Sequence, residues 1–193
     1  MKIVFSVFFF ILLVACSPST KTGKADSVPD STMQLQVKTD AFSEDPGTDD
    51  HVEADLLMRT ETVGQLQLGL SDKSTIKSTG IPDYKSAITR WEADGMYHQD
   101  WTYDSGIDLN MASSDSLKME IFSLRFFAPC KLKTSRTIGI GSSMEDVKAA
   151  YKDVLSENHH EEQSLIAGSV YGGIIFSFEN GKLSSVFIGA AAE

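Results

Sequence analysis

The sequence predicts an α+β fold of two tandem units, each a helix followed by antiparallel strands, packed together as one domain. Three observations carry this prediction. Two similar steps, Gly69-Leu70-Ser71 and Gly141-Ser142-Ser143, each set a glycine and a capping serine ahead of a helix-forming stretch. Apolar residues alternate with period 2 behind each helix, at Ile107, Leu109 and Met111 and again at Ile174, Phe176 and Phe178. Asn180-Gly181 between two such runs is the strongest short hairpin signal in the chain. Order, spacing and glycines agree between residues 55–134 and 135–193, which predicts an internal duplication.

The first helix opens at Ser71, carries Asp72 at its positive end, is anchored by Ile76 and stops at Gly80 and Pro82. In the second, Ser142 and Glu145 fit the S-x-x-E capping box. Met144, Val147, Tyr151 and Val154–Leu155 then form one apolar stripe, so this helix is expected to run from Met144 to about Leu155. Within the strand-like run from Leu117 to Ala128 the apolar phase changes. It passes from Leu117, Met119 and Ile121 to Phe122, Leu124 and Phe126, which predicts a β-bulge near residue 121. Tyr103 with Gly106-Ile107 mirrors Tyr171 with Gly173-Ile174, and Leu183 to Ile188 returns from the hairpin.

Residues 1–15 form a leader. Ile3 to Ala15 is an apolar run behind Lys2, too short to span a bilayer as a mature helix, so it reads as a secretory signal. Leu13-Val14-Ala15-Cys16 resembles the bacterial lipoprotein box. That resemblance implies that Cys16 receives lipid and becomes the mature N-terminus. Ser17 rather than Asp behind it implies an outer-membrane anchor facing the periplasm. Residues 16–54 are rich in Ser, Thr, Asp, Lys and Gly and hold one aromatic residue, Phe42. Such a stretch buries too little apolar surface to offset its ordering entropy and is expected to be a flexible tether. About 38 residues of flexible coil span on the order of 35 Å.

Removing the leader takes away only Lys2 among the charges, leaving 16 basic against 27 acidic residues, a difference of −11. Nucleic acid is excluded as a partner, because neutralising phosphates takes clustered Lys and Arg. The same balance opposes lying flat on anionic lipid. Cys16 and Cys130 are the only cysteines, so a lipidated Cys16 leaves no disulfide within the chain. Cys130 reads as a small apolar filler, since nothing in the sequence establishes a His or Lys at the geometry a reactive thiol needs.

The segments Leu56-Leu57-Met58, Val63 to Ser71, Gly80-Ile81-Pro82-Asp83 and Thr137 to Ser143 resemble a group of uncharacterised lipoproteins of the Bacteroides and Cytophaga lineage. At fold level the repeat is similar to the small lipoproteins of outer-membrane β-barrel assembly and to the secreted β-lactamase inhibitor protein. The resemblance covers about residues 56–188. It implies fold and location, and it brings no catalytic residue.

No G-x-S-x-G, H-E-x-x-H or P-loop stands in the chain, and Gly139-Ile140-Gly141 fails as a dinucleotide loop because position 144 is Met. No catalytic, cofactor or metal residue is therefore assigned. Glu157, His159, His160, Glu161 and Glu162 are the best metal-like cluster, and they read as a solvated acidic loop without recognisable ligand spacing. His51 lies in the tether and His98 near Asp100, neither with a visible partner set. Trp91, Tyr97, Trp101 and Tyr103 fall in the connection ahead of the first clear strand. Core packing is their ordinary role, and whichever are exposed would mark a partner surface. The expected function is a membrane-tethered, non-enzymatic protein-binding or envelope-assembly accessory module with an unknown protein partner. The alternatives are an inhibitor or immunity-type protein and, behind that, a metal-dependent hydrolase using His159 and His160.

Overall fold

The computed structural model describes residues 48–161 and 163–191, with the side chains of residues 48–53 and 157–161 outside that description. The leader, Cys16 and the tether up to residue 47 lie outside the described residues. The elements in chain order are α1 (Thr48–Thr60), α2 (Asp72–Thr79), β1 (Tyr84–Lys85), β2 (Thr89–Arg90), β3 (Tyr97–Tyr103), β4 (Ile107–Ser113), β5 (Glu120–Phe127), α3 (Met144–Tyr151), β6 (Leu155–Glu161), β7 (Ser164–Ser169), β8 (Gly172–Glu179) and β9 (Lys182–Gly189). Among the described residues no helix is long and apolar enough to cross a membrane.

All strand pairs are antiparallel, in one open sheet of order β1-β3-β4-β5-β9-β8-β7-β6, with β2 also on the outer edge of β3. The alternation read from the sequence sets one face. Ile107, Leu109, Met111, Leu124, Phe126, Ile174, Phe176, Val186 and Ile188 are buried against the helices. Asn180 and Gly181, at φ 51° and 72°, make the tight turn joining β8 to β9, where the Asn-Gly signal puts it. The expected β-bulge is present. Met111 pairs with Ile121 and Asn110 with Ser123, so Phe122 stands unpaired. Leu117 is 78% exposed and precedes the strand, because β5 begins only at Glu120.

The helices depart from the sequence reading in three places. Helix α1 begins inside the stretch assigned to the tether. Its Ala54 and Leu57 are buried one turn apart and it packs on β7 and β8. At its end the buried Glu61 accepts hydrogen bonds from Ser135 N–H at 2.8 Å and from the Tyr151 hydroxyl at 3.0 Å. One carboxylate thus ties α1 to α3 and to the segment before it. Burial pushes the Tyr151 hydroxyl well above its ordinary range.

Helix α2 keeps its expected cap. Ser71 Oγ accepts from Ser74 N–H at 3.3 Å, and Gly80 N–H closes the helix on Ile76 O at 2.8 Å. Its deepest side chain is Thr75, at 0% exposure, whereas Ile76 is half-buried.

The capping box of α3 belongs to Ser143 and Asp146, one residue beyond the expected Ser142 and Glu145. The cause is local. Ser142 O accepts Leu183 N–H at 2.9 Å and Ser142 Oγ accepts Gly139 N–H at 3.2 Å, so this residue is still held to the sheet. The helix also ends at Tyr151 rather than near Leu155, because Leu155 already opens β6, paired with Ala167 of β7. The stretch read as an acidic loop around His159 and His160 is therefore this edge strand, with the two histidine side chains outside the described residues. Tyr103 and Tyr171 differ despite their similar settings, the first buried and the second 65% exposed in the β7–β8 turn.

The cap assignment is testable. Ser143→Ala is expected to cost about 1 kcal/mol in urea unfolding, while Glu145→Ala stays within about 0.5 kcal/mol of the parent. The Ser143 hydroxyl and N–H hold the Asp146 carboxyl below its ordinary value. The contribution of this box is thus complete above the usual carboxylate range and is lost as pH falls through the lower folded value.

Candidate functional site

Period 2 gives every strand a second face. Opposite the helices, Thr102, Asp108, Arg125, Phe187 and Ile175 pair in one row across β3, β4, β5, β9 and β8. Asp100, Asn110 and Ser123 form the neighbouring row. No described helix covers this side. A groove of about 510 Å³ lies along it, walled by Trp91, Phe122, Ile175 and Phe187 with Asn110 and Arg125 on its floor. The Arg125 guanidinium makes no hydrogen bond or ion pair among the described residues and stands 6.0 Å from the Phe187 ring. Directly across from it, Asp108 Oδ1 is buried with no hydrogen-bond partner among the described residues. The groove thus offers aromatic walls, one uncommitted cation and one uncommitted carboxylate oxygen.

The groove ends at a small polar cluster. His98, 2% exposed, sets Nε2 2.8 Å from Asp94 Oδ2 and Nδ1 2.6 Å from Asn110 Oδ1. Asn110 Nδ2 in turn donates to Asp100 Oδ1 at 2.7 Å. The Trp91 ring stacks on His98 at 3.7 Å between centroids and 10° between planes, and Phe122 meets it edge-on at 5.2 Å. A tight loop delivers these groups. Trp91 N–H donates to Met96 O at 2.8 Å, and Gly95 N–H returns to Trp91 O at 3.0 Å. The Asp94 carboxyl is held below its ordinary value by the Met96 N–H and then by His98.

The four aromatic candidates separate. Trp91 sits in the β2–β3 connection, whereas Tyr97, Trp101 and Tyr103 belong to β3. Trp101 and Tyr103 pair with Leu109 and Ile107 and point into the core at 2% and 4% exposure, so neither can meet a partner. Trp101 Nε1 donates to Gln99 Oε1 at 2.8 Å, beneath the Lys85 ammonium 3.6 Å above its ring. The Tyr103 hydroxyl accepts from Thr79 Oγ1 at 2.9 Å and is raised above its ordinary value by burial. Tyr97 is half-buried on the same side. Only Trp91, 36% exposed, reaches the groove.

The sequence names Phe122 only for the bulge and does not single out Arg125, Ile175 or Phe187. A signal existed in Ile174-Ile175-Phe176 and Val186-Phe187-Ile188, where apolar residues occupy both phases of a strand.

Cys130 is 5% exposed and burial pushes its thiol up, away from the thiolate a nucleophile needs. Among the described residues no three His, Cys, Asp or Glu side chains converge in a way that could hold a metal. The side chains of His51, His159 and His160 lie outside that search.

The two tryptophans should differ in solution. With Trp101→Phe, acrylamide should readily quench the remaining Trp91, and with Trp91→Phe the remaining Trp101 should resist. Equal quenching would contradict the assignment of one to the groove and the other to the core. Comparison with models of known families, with curated proteins and with solved structures finds no match to this chain.

Proposed function

We propose that this chain is a lipid-anchored, non-enzymatic binding module of the bacterial envelope, and that a protein partner docks on the open face of its sheet. The observation that carries the proposal is the groove of about 510 Å³ on the face that no described helix covers, with aromatic walls around Arg125, which is unpaired among the described residues. Aromatic and Arg side chains are the groups that most often dominate binding energy. The apolar leader ending in Leu13-Val14-Ala15-Cys16 supports the anchor, and the composition of the residues behind it supports a tether. A non-enzymatic role fits the chemistry of the groove. Both nitrogens of His98 are engaged inside the fold, which leaves none to activate a nucleophile.

The partner's surface is basic and presents an apolar side chain. The mature chain carries −11, and Asp100 and Asp108 flank the groove. An apolar side chain suits the space between Phe122 and Phe187.

We also propose that the module arose by duplication. The entry to α2 is clamped by Gly69 N–H to Ile121 O and Ile121 N–H to Leu70 O. The entry to α3 repeats this with Gly141 N–H to Leu183 O and Leu183 N–H to Ser142 O. Ser71 bridges Glu120, and Ser143 bridges Lys182. One residue past each clamp the strand bulges, at Phe122 in β5 and Ser184 in β9. Gly106 and Gly173 stand just ahead of Ile107 and Ile174, and a Cβ would strike the Phe127 carbonyl in one and the Ala167 carbonyl in the other. Carrying Leu124 onto Val186 and Phe126 onto Ile188 maps the β5–β9 pairing onto itself, with Arg125 and Phe187 at its centre.

An inhibitor of an enzyme or toxin is a second reading, favoured by the acidic charge beside a groove that would accept one anchoring side chain. The identity of the partner separates an assembly role from an inhibitory one.

The test is crosslinking in native membranes, affinity capture and mass spectrometry, with Phe187→Glu and Ile175→Glu beside the parent. Recovery of a stoichiometric partner should fall at least about tenfold in both variants while the unfolding midpoint stays near the parent's. Tyr171→Glu, away from the groove, should leave recovery unchanged. Undiminished recovery from both groove variants would overturn this surface as the docking site.

A further inference from the structure

We infer that His98 is a proton-operated switch for the floor of the groove. The switch acts on the hydrogen-bonding groups of the groove, whatever docks there.

His98 cannot turn away from its neighbours. It is 2% exposed, stacked on Trp91 and met edge-on by Phe122. Both ring nitrogens face oxygen acceptors, Asp94 Oδ2 and Asn110 Oδ1. The orientation of Asn110 follows from its other bond, because Nδ2 donates to Asp100 Oδ1 and leaves Oδ1 toward the ring. This arrangement satisfies a ring carrying two protons and no other form of it. The charged groups around the ring are Asp94 from the β2–β3 loop and Asp100 behind Asn110. Glu120 of β5 lies in the same cross-strand row through Ala112, and Arg90 extends along the loop against Gly95.

Loss of one proton to solvent has a defined consequence. The Nε2 proton stays, because its acceptor is a carboxylate and charge-assisted bonds are the stronger. The Nδ1 lone pair then faces Asn110 Oδ1 at the distance of a hydrogen bond with no proton between them. Turning the Asn110 amide over restores a donor, Nδ2–H, to Nδ1. The turn breaks the bond from Nδ2 to Asp100 and sets Asn110 Oδ1 against the Asp100 carboxylate, which must move. Both residues line the open face, so one proton at the end of the groove changes the donors and acceptors on its floor. The floor with Asn110 bonded to Asp100 belongs to the acid side and the rearranged floor to the alkaline side.

Nuclear magnetic resonance on the full chain in detergent micelles tests this. The readouts are the His98 ring nitrogens, assigned by their loss in His98→Gln, and the Asn110 side-chain amide, followed from pH 5 to 9. The expected result is a doubly protonated ring at the acid end that loses the Nδ1 proton as pH rises. The Asn110 amide resonances should move with the same midpoint. Asp94→Asn should shift that midpoint down and Asn110→Asp should shift it up, a pair of opposite effects that general loosening of the loop would not produce. A ring whose protonation stays constant across the range overturns the inference. So does a titration that leaves the Asn110 amide unmoved in the parent chain.

Discussion

The pairing of β5 with β9 is the constraint on which the rest of the structure depends. It brings Leu124 opposite Ile188 and Phe126 opposite Val186, four side chains at 2% exposure or less. Burying each contributes about 1.5–3 kcal/mol. Without this seam the sheet becomes two separate meanders, β3-β4-β5 and β6 to β9, each with one free edge more. The seam also determines the other face. A strand alternates, so the register that sends Leu124 and Phe126 to the core must send Arg125 outward, and Phe187 beside it. The groove and the core are two consequences of one register.

The bulges refine this arrangement. In β5 the extra residue is Phe122, which is left off the core ladder and becomes a wall of the groove against His98. In β9 the extra residue is Ser184, which donates to Ser177 O at 3.1 Å and presents no large side chain. The same backbone irregularity therefore gives an aromatic wall on one side of the seam and a small polar residue on the other. The groove is asymmetric for this reason, with Trp91 and His98 closing only one end.

How much was legible followed the strength of each local signal. The alternation in β4 and β8, the Asn-Gly turn, the Ser71 cap and the bulge are effects within a few residues, and the sequence carries them openly. The Ser143 cap was displaced by one residue through bonds to Gly139 and Leu183 that local spacing cannot reveal. Strands β3, β6 and β7 were hidden because their partners, not their composition, make them strands. The stretch around His159 and His160 looks like a solvated loop until β7 pairs with Leu155, His160 and Glu161. The groove was the least legible part. Arg125 and Phe187 become a site only when β5 and β9 meet, and Asp94, His98 and Asn110 come together only through a tight loop and a cross-strand neighbour. Of the aromatic residues singled out beforehand, Trp101 and Tyr103 went to the core because they share the phase of Leu109 and Ile107.

Native-state hydrogen exchange, resolved strand by strand, tests the primacy of the seam most directly. The amides of β5 and β9 should exchange only with global unfolding, at the highest free energy in the chain, while β1, β2 and the edge strand β6 open far more easily. A seam that exchanges faster than the interiors of β4 and β8 would mean that two meanders fold independently and merely dock. That result would contradict the account of one register setting both core and groove.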